Sequence, residues 1–141
     1  MFESAAAKQA TKALTTNEVS RYIITAALKV HSTLGPGLLE SAYEACLTHE
    51  LGKAGLKVAT QVGLPVVYDG IKLDVGYRID MLVNNLVVVE LKSVEEISRV
   101  HIAQVLSYMK LSKKSLGLII NFNVFRLKDG IKRLVEGTGW K

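Results

Sequence analysis

Three residues within a short stretch set the chemistry this chain could perform. Asp80 stands upstream, and Glu90-Leu91-Lys92 closes the apolar run Leu86-Val87-Val88-Val89. Residues i and i+2 of a strand share a face, so Glu90 and Lys92 project together. Charges in such an apolar setting are costly unless partnered. Two carboxylates can hold a hard divalent cation, which polarises a phosphoryl oxygen and lowers the pKa of a bound water. A lysine beside them can orient that water or offset developing negative charge. Asp80, Glu90 and Lys92 therefore suit metal-assisted phosphodiester hydrolysis. The competing reading is a cross-strand ion pair at a sheet end, because an acid-x-Lys triplet is common by chance.

The hydrolytic reading carries a geometric condition. If Asn84-Asn85 formed a clean two-residue turn, Val83 would pair with Leu86, Asp80 would face Val89 and Glu90 would face Ile79. The two acids would then point to opposite faces. A shared site requires a bulge, a longer turn or a bend near Asp80.

Other polar residues fall at suggestive spacings. Gln104 and Tyr108 are i and i+4 on an expected helix, so they share a face, and His101 joins the stripe. Gln can bond a metal-bound water or a phosphate, and Tyr can contact phosphate; the alternative is a polar stripe at a helix–sheet boundary. Glu40 follows Gly35-Pro36-Gly37, where it is either a further metal ligand or a favourable charge in a first helical turn. Arg78 could contact phosphate or form a surface ion pair. Asn121 and Asn123 line a cleft or end a strand. His31 and His49 read as helix-surface residues, and no histidine spacing suggests a metal site.

These side chains need elements to position them. Residues 1–16 are small and polar and read as a flexible N-terminal segment, with one domain over 17–141. Thr15 and Glu18 have capping-box spacing. Val19, Tyr22, Ile23, Ala26, Ala27 and Val30 follow helical period up to about His31–Thr33. A second helix is expected from about Leu38 to Lys53, with Leu39, Tyr43, Cys46, Leu47, Glu50 and Leu51 on one broad side. Short strands are expected at Leu56–Thr60, Leu64–Tyr68, Ile71–Leu73, Tyr77–Val83 and Leu86–Lys92. Asp69-Gly70 and Asn84-Asn85 supply turns. A third helix spans about Arg99–Leu111, a strand Leu116–Asn121, and an edge hairpin around Asp129-Gly130 is expected within Val124–Leu134. The order α, α, several β, α, β predicts a mixed α/β (α+β) domain, with a central mixed sheet flanked by helices.

Composition bounds the class. The chain has 141 residues, 49% hydrophobic and 22% charged, as a folded domain does. Eighteen Lys+Arg against thirteen Asp+Glu leave +5, which suits a polyanionic partner. The single cysteine, Cys46, allows no intrachain disulfide and no cysteine-rich cluster, and reads as a core residue. No apolar stretch approaches the roughly 18 residues of a membrane span, and no basic-then-apolar leader is evident. A cytoplasmic location is the expectation.

Together the segments resemble a known family. Gly37-Leu38-Leu39-Glu40-Ser41-Ala42-Tyr43 is similar to the signature of the GxxExxY proteins, and so are the flanks VHSTLGPGLLESAYEACLTHEL, GYRIDMLVNNLVVVELKSV, HIAQVLSYMKL and LGLIINFNVFRLKDGIKR. The resemblance covers roughly residues 18 to 134. That family is placed in the PD-(D/E)XK nuclease superfamily, which implies a restriction-endonuclease-like core. It implies Asp80, Glu90 and Lys92 as the motif residues, with Ile79 where the motif's proline would stand. Glu40 matches a metal-binding acid on the first core helix, and Gln104 to Tyr108 matches a QxxxY element.

The expected function is a Mg²⁺- or Mn²⁺-dependent nuclease acting on DNA, with RNA as a further substrate class. Asp80, Glu90, Lys92, Gln104 and Tyr108 would be catalytic, and Glu40, Asp80 and Glu90 the metal ligands. Arg78, Lys110, Lys113 and Lys114 would line the nucleic-acid approach, although Lys113-Lys114 also reads as a solvated helix end. A homodimer is compatible with this reading. The rival is a non-catalytic nuclease-fold module that binds nucleic acid or a protein partner.

Overall fold

The computed structural model of the chain describes residues 13–137. Most of the expected flexible segment therefore lies outside the described residues. Helix α1 (Thr16–Leu34) starts on the expected capping box: the Glu18 N–H donates to Thr15 Oγ1 and the Thr15 N–H to the Glu18 carboxylate. Its apolar stripe of Val19, Ile23, Ala27 and Val30 is buried. His31 is buried too, and not on the surface; its Nε2–H donates to the Val124 carbonyl at 2.7 Å.

Helix α2 (Glu40–Lys53) begins two residues later than expected. Leu39 becomes its N-cap and is exposed, so the buried side consists of Tyr43, Leu47 and Leu51. The delay comes from the Gly35-Pro36-Gly37 turn, where both glycines hold positive φ (68° and 98°). Tyr43 pins this turn. Its hydroxyl donates to the Gly35 carbonyl at 2.6 Å and accepts from the Leu38 N–H at 3.1 Å. Its ring stacks on Phe122, with centroids 4.3 Å apart and planes 7° apart.

The sheet has five strands in the order β1 (Val58–Tyr68), β2 (Ile71–Val83), β3 (Val87–Lys92), β4 (Leu116–Asn121) and β5 (Ile131–Val135). Strands β3 and β4 are parallel and joined over helix α3 (Arg99–Ser112); the other pairs are antiparallel. The short strands expected between residues 56 and 83 are two long ones. The breaks in their apolar pattern are irregularities inside strands: Gln61 at φ +52°, and Asp74, Val75 and Gly76 bulging opposite Pro65. The expected terminal edge hairpin is a 3₁₀ turn (Leu127–Gly130) leading into β5 alone. A β-carbon at Gly130 would collide with the Asn121 carbonyl, so glycine permits this close return to β4.

Each face of the sheet has its own core. Helices α1 and α2 cover Met81, Val83, Val87, Val89, Leu91, Leu118, Ile120 and Phe122. Helix α3 covers Leu64, Ile79, Val88 and Ile119 through Val105, Tyr108 and Met109. Residues Met81 and Ile79 are two apart in one strand yet belong to different cores. Strand β2 therefore swivels at Asp80, opposite the left-handed Gln61.

Tyr43 gives a test of this packing. Tyr43→Phe keeps the stack on Phe122 and removes both hydroxyl bonds, and is expected to lower unfolding free energy by about 1–2 kcal/mol. Tyr43→Ala also opens a cavity and should cost about 3–5 kcal/mol. Urea melts of the two variants beside the parent measure both values.

Candidate active site

The turn between β2 and β3 meets the condition set by the sequence. Asn84 and Asn85 both hold left-handed φ (51° and 55°), and the Leu86 N–H closes the turn on the Val83 carbonyl. Leu86 is then left out of the ladder, so Val83 pairs with Val87, Leu82 with Val88 and Met81 with Val89. The next pair in this register is Asp80 with Glu90. One extra residue in the turn moves the two acids onto the same face.

The ladder stops at Met81–Val89, and side chains take over. The Asp80 N–H donates to Glu90 Oε1 at 3.0 Å, and the Leu91 N–H donates to Asp80 Oδ2 at 2.9 Å. Each carboxylate thus accepts a backbone donor from the other's strand. Asp80 is half-buried; Glu90 is only 4% exposed. Burial, then the neighbouring Asp80 charge, pushes the Glu90 carboxyl from its ordinary 4.5 up to about 8. Lys92 opposes this only weakly. The ion pairs among the described residues join Glu50 to Lys29 and Lys53, so the cross-strand ion pair anticipated as a rival does not form at Asp80 or Glu90.

Helix α3 brings Gln104 and Tyr108 to this face. Gln104 Nε2 donates to the Tyr108 hydroxyl at 3.2 Å. Burial raises the Tyr108 pKa, and the Glu90 charge raises it further. His101 leaves the stripe: its Nδ1 accepts from the Ser98 N–H, and its own N–H donates to Ser98 Oγ, forming the capping box of α3. Asn121 is buried and locks the segment after Lys92, accepting from the Val94 N–H and donating to its carbonyl, while Asn123 donates to the same carbonyl.

Two residues that sequence reasoning missed lie beside Asp80. Gln61 Nε2 donates to Glu44 at 3.2 Å and to Asp80 at 3.4 Å. The acid that α2 sends toward Asp80 is thus Glu44, one turn beyond Glu40. Glu40 is exposed in the first turn of α2, and the expected trio of Glu40, Asp80 and Glu90 is not assembled. Among the described residues no group of three or more His, Cys, Asp or Glu is close enough to hold a metal ion. The Glu44 link had no sequence signal, since it depends on a left-handed Gln within a strand.

The expected basic track is also relocated. Lys110, Lys113 and Lys114 line a cleft of about 570 Å³ at the C-terminal end of α3, and Lys114 Nζ donates to Asn85 in the β2–β3 turn. Lys113 is the left-handed C-cap of the helix. At about 1.5 Å per residue, Lys110 lies about 9 Å and the last helical residue, Ser112, about 12 Å along the rise from Gln104. These lysines sit at the opposite end of the sheet from Glu90. Arg78 is exposed on β2, two residues from Asp80, with its guanidinium across Gly63.

The donor set suits a hard divalent cation. Two adjacent carboxylates, one buried and neither ion-paired, offer oxygen ligands, and Mg²⁺ binds through one or two carboxylates while keeping several waters. A prediction follows for the metal-free protein. The folded state retains a proton on Glu90 that the unfolded chain releases near pH 4.5, so this contribution is full below that pH. It is lost as pH rises through about 8. In chelator, Tm should fall between pH 5 and pH 8, and Glu90→Gln should flatten that slope. An unchanged slope in the variant would assign the dependence elsewhere.

No curated protein and no solved structure matches the chain. A family model described as the PD-(D/E)XK nuclease superfamily matches residues 17–134, which include Asp80, Glu90, Lys92, Gln104 and Tyr108. The chain belongs to the PD-(D/E)XK nuclease superfamily.

Proposed function

We propose that this protein is a Mg²⁺- or Mn²⁺-dependent nuclease that hydrolyses phosphodiester bonds in DNA, with RNA as the alternative substrate. The observation that carries the reading is the Glu90 carboxylate, buried on the same face as Asp80 without an ion pair. Asp80 and Glu90 would hold the cation. When bound, it supplies Lewis-acid polarisation of the phosphoryl oxygen and a more acidic water.

The chain's own residues supply the rest. Lys92 shares the face of Glu90 by strand alternation, and its ammonium orients the attacking water and offsets charge developing on the phosphate. Gln104 and Tyr108, already joined to each other, present an amide and a hydroxyl that position the scissile phosphate. Gln61 steadies the Asp80 carboxylate from the other side. Arg78 is the basic residue placed to meet the substrate backbone near the acids. The net charge of +5 suits a polyanionic substrate.

The test is cleavage of single-stranded, double-stranded and branched DNA and of RNA, each in Mg²⁺ and in Mn²⁺. Asp80→Asn and Lys92→Ala are expected to lower the rate by roughly 10²–10³-fold, as loss of a charge-stabilising group does. Tyr108→Phe should lower it less, since the apolar ring that packs on the sheet remains. Absence of cleavage, with nucleic-acid binding equal in parent and variants, would replace the nuclease with a binding module of the same fold.

A further inference from the structure

Strands β1 and β2 outrun the sheet. Strand β3 pairs only with Met81, Leu82 and Val83 of β2, so residues 62–79 form a two-stranded arm beyond it. The pairs along this arm are Val62–Ile79, Leu64–Tyr77, Val66–Leu73 and Tyr68–Ile71. Cross-strand partners share a face, and so do alternate residues of β1. All eight side chains therefore form one face, and all eight are apolar or aromatic.

That face is covered for half its length. Near the sheet it packs on α3: Leu64 is 7% exposed and Ile79 1%, and Tyr77 meets Tyr108 at 6.0 Å between ring centroids. Beyond α3 the same face continues bare, with Tyr68 73%, Ile71 58% and Leu73 42% exposed. An isolated two-stranded hairpin is marginal in water. Along β2, Ile71, Leu73, Tyr77 and Ile79 alternate with Lys72, Arg78 and Asp80, a pattern that specifies a buried face, and half of that face has no cover among the described residues.

We propose that the distal half of this arm packs face to face on the same surface of a second copy of the chain. Its charge favours a copy of itself over a polyanion: the arm carries Asp69 and Asp74 against Lys72 and Arg78, net zero, on a chain that is otherwise basic. A two-fold contact places each patch on its own image, which a neutral patch holding both signs tolerates. Tyr68, Ile71, Leu73 and Tyr77 are the exposed side chains of this face, and a two-fold pair of them makes a small interface of the weak, reversible class, under about 1,200 Å² in total. Pairing through the free edge of β2 is disfavoured. Asp74, Val75 and Gly76 bulge there, Gly76 holds φ +82°, and its N–H is taken by the Asp74 side chain. The contact is thus between faces, with Tyr77 bringing it close to Asp80. It is independent of whether the acids cut a phosphodiester.

Sedimentation equilibrium of the full chain from 1 to 200 µM, without nucleic acid, tests this. A monomer–dimer equilibrium is expected, with Ile71→Asp and Tyr68→Ser each raising the dimer Kd at least tenfold while circular dichroism stays unchanged. Leu73→Cys, made with Cys46→Ser, should form a covalent dimer under mild oxidation. A wild type monomeric at 200 µM would overturn the proposal, as would a dimer indifferent to both surface variants. A monomer whose affinity for duplex DNA falls with Ile71→Asp would also overturn it, in favour of a nucleic-acid contact.

Discussion

Two hydrogen bonds hold the candidate site together: the Asp80 N–H to the Glu90 carboxylate, and the Leu91 N–H to the Asp80 carboxylate. They lie where the backbone ladder between β2 and β3 ends, and they replace it. Each strand's last free donor is satisfied by the other strand's acid, so the acids serve as the closing rungs of the sheet. This also fixes both carboxylates against rotation. The cost is electrostatic: two like-charged groups share one pocket, and burial raises the Glu90 pKa well above the ordinary carboxylate range.

The elements around this pair follow from keeping it on one face. Leu86 shifts the hairpin register by one residue. Gln61 breaks the twist of β1 opposite Asp80, so β2 crosses from the α1/α2 core to the α3 core at the acid itself. That crossing sends the arm over α3 and sets Tyr77 beside Tyr108. The Tyr43 tether and the Ser93 Oγ bond to the Leu38 carbonyl draw the start of α2 to the end of β3, which brings Glu44 within reach of Gln61. The site is thus built from departures from regular structure, each stabilised by ordinary packing around it.

Much of this was legible in the residues. Capping-box spacing marked the start of α1 to the residue, and the valine run with its closing Glu-Leu-Lys marked β3. The fold class and the superfamily agree with the order of elements and the motif resemblance. What stayed hidden was whatever depends on backbone signs. Periodicity assumes a uniform strand, so a left-handed Gln61 and the Asp74–Gly76 bulge read as strand ends, and the positive-φ glycines before α2 put its start, and Leu39, out of place. The role of Glu44 was likewise invisible, because the residue that links it to Asp80 lies in a strand whose twist is broken. The lysines after α3 lie at the end of the sheet away from Glu90, a placement that spacing alone does not give.

Lys92 bears most directly on what the pair is for. It lies two residues from Glu90 on the same face, about 7 Å along the strand, and is flexible enough to close an ion pair. Closing it would hold Glu90 ionised; without it, burial keeps the proton on the carboxyl up to about pH 8. Instead Glu90 takes its hydrogen bond from a backbone N–H, Asp80 takes another, and Lys92 stands off. A divalent cation and a phosphate, as in the proposed function, are the two charges that would balance Asp80, Glu90 and Lys92 at once. A carboxyl that gives up its proton readily only against a nearby positive charge suits the cation of the proposed function, and Lys92 supplies little of that charge itself.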